Sequence, residues 1–174
     1  MVFKNRKHAS GPGIVGVVGG GSAGPGTLAL AEELGAGIAG LGCILVTGGG
    51  GGVMAAASKG AALAGGLVIG ILPQKKGRHL PGYPNEYVHV PIYTGMSDAR
   101  NVIVAQTPDV IVALEGSCGT ISEIALARKA GVPVISLACP AFDAVAPGPG
   151  YSSVETVTEA LAAVRTRMSL ITKQ

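Results

Sequence analysis

The stretch "VTGGGGGVM", residues 46–54, sets five consecutive glycines between an apolar run and an alanine-rich one. Glycine gives up more chain entropy on folding than any other residue, so such a run is unfavourable unless the backbone needs that freedom. The flanking runs say what the turn joins. "CILVTGG" (43–49) is a continuous apolar strand, and "VMAAASKGAALAGG" (53–66) reads as a helix of small side chains.

The same alternation extends along the chain. "GIVGVVGGG" (13–21) is a buried strand entering glycines, and "PGTLALAEELGAGIAGLG" (25–42) has proline where a helix begins and glycine where it stops. Further strands are expected at 67–73, 87–93, 109–116 and 132–138, the second of these near an edge because of Pro91. Helices are expected at 97–107, 120–131 and 154–168, with polar or proline-rich loops at 74–86 and 140–150. Unbroken apolar strands alternating with helices predict an α/β fold, doubly wound, with helices on both faces of a mostly parallel sheet of six or seven strands. Right-handed crossovers place every strand-to-helix turn at one sheet edge, where ligands bind beyond the strand carboxyl ends.

At 174 residues the chain fits one ligand-binding domain, 13–170, behind a flexible basic tail, 1–12. The tail reads as solvated, or as the remnant of an organelle transit peptide; it lacks the apolar segment of a secretory signal. The net charge is only +3, the lysines and arginines are scattered, and aromatics make up 3% of residues. Nucleic-acid binding thereby loses its basic track and its stacking rings. Cys43, Cys118 and Cys139 are widely spaced without CxxC, which argues against a disulfide framework or a metal site and for a reducing, cytoplasmic setting. No apolar run reaches the ~18 residues of a membrane span.

Three glycine turns share the predicted edge. The first holds GxGxxG at Gly19, Gly21 and Gly24, including Gly20 and Ser22. A dinucleotide site also wants an acid at the end of the second strand, where this chain reads Val46-Thr47-Gly48, so NAD is disfavoured. No GxxxxGK[ST] occurs either. The second turn contains Gly49, Gly50, Gly51 and Gly52, and the third is "EGSCGTISE", with Gly116, Ser117, Cys118, Gly119, Thr120 and Glu123. Each enters a helix N-terminus, whose free N–H groups and positive dipole end suit a phosphate. Close helix–sheet packing is the other use such glycines have.

Arg100, in "GMSDARN", starts a helix near that edge and offers a rigid cationic fork; an ion pair with Asp98 is its alternative use. Asn101 either reads a heterocycle edge or faces solvent. Thr120 and Glu123 have the T-x-x-E spacing of a capping box, and a carboxylate there could equally serve as acid or base. Cys118 stands near a helix N-terminus, where thiol pKa values fall. His79 and His89 have no metal-ligand spacing and are assigned no role.

"TGGGGGVMAAASKGA", "EGSCGTISEI" and Arg100 together resemble the Rossmann-like, lysine decarboxylase-like family that includes the Lonely guy phosphoribohydrolases. That resemblance implies a single doubly wound Rossmann-like domain, with Arg100 and Glu123 as the catalytic pair if the chain is an enzyme cleaving nucleoside 5′-monophosphates. Where the enzymes have Pro-Gly-Gly this chain has Glu115-Gly116-Ser117, and their lysine after the arginine is Asn101. These departures resemble instead the family's non-enzymatic branch, the molybdenum cofactor carriers of green algae. For that branch the resemblance implies a homotetramer that binds and protects molybdenum cofactor, a phosphate-bearing heterocycle, for delivery to molybdoenzymes such as nitrate reductase.

Overall fold

Seven strands form one sheet in the order β4-β3-β2-β1-β5-β6-β7, every neighbouring pair parallel. The computed structural model describes residues 11–143 and 148–172. Most of the expected basic tail, 1–10, lies outside them, as does the stretch 144–147 of the proline-rich loop. The strands are β1 (Ile14–Val18), β2 (Ile44–Thr47), β3 (Val68–Leu72), β4 (Val90–Tyr93), β5 (Val110–Ala113), β6 (Val134–Leu137) and β7 (Tyr151–Val154). The helices are α1 (Pro25–Gly40), α2 (Val53–Leu63), α3 (Asn101–Gln106, entered through a 3-10 turn at Ser97–Arg100), α4 (Cys118–Ala130) and α5 (Val157–Thr172).

Alternation along each strand divides the core in two. Val15 and Val17 of β1 face a cluster with Leu34 and Ile38 of α1, Ala57 of α2 and Val164 of α5. Val18 faces the other cluster, with Val104 of α3 and Ile124 and Ala127 of α4. Helices therefore cover both faces, as the apolar strands predict. β4 is an edge strand, where Pro91 deprives the ladder of no interior bond. His89, given no role from sequence, closes this edge: its Nδ1 accepts the Val68 N–H at 3.1 Å, and its own N–H donates to the Val68 carbonyl at 3.0 Å.

The sequence reading differs from the structure at its C-terminal end. "YSSV" is β7, and the last helix begins only at Val157, where the Glu159 carboxylate accepts the N–H groups of Glu155 and Thr156 at 3.1 Å each. The small residues of α1 and α2 have a direct structural use, since the two backbones touch. A Cβ on Gly60 would overlap the Glu32 carbonyl oxygen, and one on Gly35 would overlap that of Ala57.

Gly60→Ala is accordingly expected to destabilise the fold by about 1–3 kcal/mol, the range of overpacked cores, despite alanine's better helix propensity. Gly26→Ala, in α1 with open space around it, is expected to be neutral or stabilising. Urea unfolding of the two variants checks the contrast.

Candidate functional site

Chain order reverses between β1 and β5, so the segments leaving these neighbouring strands diverge and open a crevice at their carboxyl ends. The three glycine turns meet there. The Gly20 N–H donates to the Glu115 carbonyl at 2.8 Å, and the Gly20 carbonyl accepts the Val53 N–H at 3.0 Å. Turn one thus touches turns two and three through main chain alone. Gly52 has φ +58°, and a Cβ there would overlap the Gly20 carbonyl oxygen; one on Gly116 would overlap the Thr120 hydroxyl. Gly49 lies against Leu72 and Gly50 against the Tyr83 ring, whereas Gly21, Gly24 and Gly119 face open space. Internal close packing therefore accounts for several of the glycines expected to bind a ligand, and the open ones line the rim. Among the described residues, the N–H groups of Gly21, Gly50, Gly51, Cys118 and Gly119 have no hydrogen-bond acceptor in the protein. Ser22, Ser117, Cys118 and Gly119 are exposed at the same edge.

Arg100 lies beneath this rim, with only 8% of its surface exposed. Its guanidinium rests against Gly48, where a Cβ would stand 2.9 Å from Nη2. Nη1 donates to Glu123 Oε1 at 3.0 Å and to Asn101 Oδ1 at 2.6 Å, while Nε is buried without an acceptor. The partner is therefore Glu123, 23 residues on in sequence, rather than Asp98. Asn101, half-buried, is held by its neighbours: its Nδ2 donates to Ser122 Oγ at 2.9 Å, and Ser122 Oγ donates to the Gly119 carbonyl at 2.7 Å.

The capping-box reading of Thr120 and Glu123 is corrected by this geometry. Helix α4 starts at Cys118 with Ser117 as N-cap, so Thr120 is inside the first turn and Glu123 turns inward to Arg100. Burial pushes the Glu123 carboxyl up from 4.5 to about 7, and Arg100 opposes that rise through charge and hydrogen bond. Near neutral pH the buried pair therefore holds both protonation states of Glu123, an arrangement suited to moving a proton or adjusting charge at the rim.

A second feature was not legible in the sequence. The loop after β3, read only as polar, roofs a cavity of about 530 Å³ lined by Gln74, Lys75, Arg78, His79, Tyr83, Asp98 and Arg100 among others. His79, assigned no role, is one wall residue. The density of cations in "QKKGRH" was the available signal. Among the described residues no group of three or more His, Cys, Asp or Glu side chains gathers to hold a metal ion, and no helix is long and apolar enough to cross a membrane.

Comparison with known proteins places this arrangement. The model of the SLOG cluster4 family matches residues 12–171. An uncharacterized protein of Archaeoglobus fulgidus is 44% identical over 126 residues, 72% of this chain and 80% of that protein. The structure of the molybdenum cofactor binding protein from the phototrophic bacterium Rippkaea orientalis is 35% identical, covering 92% of this chain and 99% of its own with a TM-score of 0.83. A structure of the Moco (molybdenum cofactor) carrier protein from Chlamydomonas reinhardtii is 38% identical, covering 91% and 99% with a TM-score of 0.81. The likeness thus reaches archaeal and bacterial proteins, beyond the green algae expected from the sequence.

The raised Glu123 pKa sets a pH dependence. Unfolded, this carboxyl loses its proton near 4.5; folded, it keeps it to about 7. Between those values the folded chain binds more protons, so this group's contribution makes stability fall as pH rises and then level off above about 7. Urea midpoints at pH 5 and pH 8 are expected to differ less in Glu123→Gln than in the wild type, since the amide cannot titrate.

Proposed function

The chain belongs to the SLOG cluster4 family, and from that premise we propose that it binds molybdenum cofactor as cargo, shields it from oxidation and passes it to molybdoenzymes, catalysing nothing. The observation that carries this reading is the set of donors without acceptors gathered at one rim, in a chain alike over nine-tenths of its length to proteins described by cofactor binding or carrying.

The donor set fits the cargo. Molybdenum cofactor joins a fused heterocycle to a phosphate. The phosphate finds main-chain N–H groups from three turns and the dipole of α4, with Arg100 beneath them. Hydrogen bonds to a charged group contribute about 1.5–3 kcal/mol each, so two or three of them would hold a dianion firmly. Ser22, Ser117, Cys118 and Thr120 belong to the same rim, Thr120 as a buried support and the others exposed. Homotetramer formation is part of the reading. Exposed Val90, Ile92, Met96, Val102 and Ile121 are apolar surface that neighbouring copies would cover.

Hydrolysis of nucleoside 5′-monophosphates is not favoured. Arg100 and Glu123 retain the residue types for it, yet the turn before α4 lacks Pro-Gly-Gly, and the two solved structures compared above are described by cofactor binding or carrying.

Purified protein is expected to bind the cofactor saturably and to lengthen its lifetime in air. Arg100→Lys keeps a charge opposite Glu123 but removes the fork, and is expected to weaken binding about tenfold or more with the fold retained. Absence of saturable binding or of protection overturns the carrier reading; release of free base from AMP would restore the hydrolase.

A further inference from the structure

The charge beneath the glycine rim is not fixed. Arg100 and Glu123 meet at 3.0 Å with side chains only 10% and 9% exposed, so water and salt screen the pair little. The guanidinium lies between two segments of the rim. On one side a Cβ on Gly48, at the start of the second turn, would stand 2.9 Å from Nη2 and 3.0 Å from Nη1. On the other, Nη1 holds Glu123, which stands one helical turn after Gly119 in α4. Asn101 and Ser122 brace the same turn, ending on the Gly119 carbonyl. An anion on the rim N–H groups and the Glu123 carboxylate therefore compete for one buried positive charge.

The surrounding elements bring little charge against this pair. α3, β5 and β6, which pack against α4, carry no titratable side chain, and neither does the second glycine turn. On α4 itself stand Cys118 at its start and Arg128 and Lys129 in its last turn. Asp98 precedes Arg100, Lys75, Arg78 and His79 line the cavity on its far side, and Glu115 accepts the Thr27 hydroxyl; all five are exposed. Exposed charges are screened, whereas the Glu123 carboxyl, pushed up to about 7 by burial, changes charge inside the fold. Ionised, it leaves the pair neutral. Protonated, it leaves Arg100 with a buried charge that no carboxylate balances.

We infer that Glu123 is a proton-linked counter-ion that regulates the rim: protonated, it leaves the Arg100 charge to a bound anion, and ionised, it takes that charge for itself. Anion binding then takes up a proton, and rising pH favours release. The sign follows from linkage, since a bound anion stabilises the protonated carboxyl beside it and affinity falls as pH rises through the titration. The inference rests on the carrier reading only in placing an anionic group on the rim. At an effective dielectric constant of about 20, a charge one turn away changes an anion's affinity about tenfold or more.

Sulfate is the probe, because it keeps its double charge over a range where a phosphate itself titrates. Calorimetric titration of the full chain at constant ionic strength is expected to give binding about fivefold or more tighter at pH 6 than at pH 8. Heats at pH 7 in two buffers of different ionisation enthalpy are expected to report proton uptake. Glu123→Gln binds equally at both pH values, more tightly at pH 8 than the wild type does, and takes up no proton. His79→Gln, the control for a residue type that titrates in this range, keeps the wild-type pH dependence. Should Glu123→Gln fail to fold, the buffer dependence of the wild-type heats decides alone. Equal wild-type affinity at the two pH values, no proton uptake, a pH dependence that survives Glu123→Gln or vanishes in His79→Gln, or no sulfate binding at all overturns the inference. Cofactor protected by a protein whose sulfate affinity ignores pH sinks the proton linkage alone. A Glu123-dependent pH response without cofactor protection supports the linkage and sinks the carrier reading alone.

Discussion

A single residue, Gly20, ties the three turns together. Gly20 donates its N–H to the turn after β5 and lends its carbonyl to the first residue of α2. With both ends engaged by main chain, the turns sit at backbone contact distance, where a side chain at Gly52 or Gly116 would overlap its neighbours. This spacing has two consequences. It makes glycine obligatory for reasons internal to the fold, and it holds the unpaired N–H groups of Gly21, Gly50, Gly51, Cys118 and Gly119 on a frame fixed by main-chain hydrogen bonds.

Beneath that frame lies a buried ion pair, an arrangement that is seldom a net source of stability because each ion loses its hydration. Here two effects oppose each other on Glu123, burial raising its pKa and Arg100 lowering it, and burial wins. Asn101 completes the arrangement by accepting from Arg100 and donating to Ser122, which in turn donates to the Gly119 carbonyl. Asn101 thus acts as a positioning residue between the arginine and the first turn of α4.

Most strands could be read directly, because their runs of Val, Ile and Leu are buried on both faces and leave no polar alternation to confuse them. β7 escaped because "YSSV" is short, polar and at an edge, where half its surface needs no apolar partner. The T-x-x-E spacing left a helix cap and an acid or base both open for Glu123, since local spacing cannot register an arginine arriving from another element. The cavity over β3 escaped for a similar reason: residues 74–86 carry no periodicity, and their shape depends on Asn85 grasping the glycine run across 35 positions.

By itself the sequence determined the doubly wound parallel sheet, the edge on which its glycine turns gather, and Arg100 and Glu123 as the residues worth watching. Hydrophobic period, turn chemistry and chain handedness act locally and survive in a linear text. Which glycines serve packing and which face open space, the pairing of Arg100 with Glu123 and the existence of a second cavity were decided only in three dimensions. Each of these depends on distances between segments far apart in sequence, and on the loss of water around charges once those segments close over them.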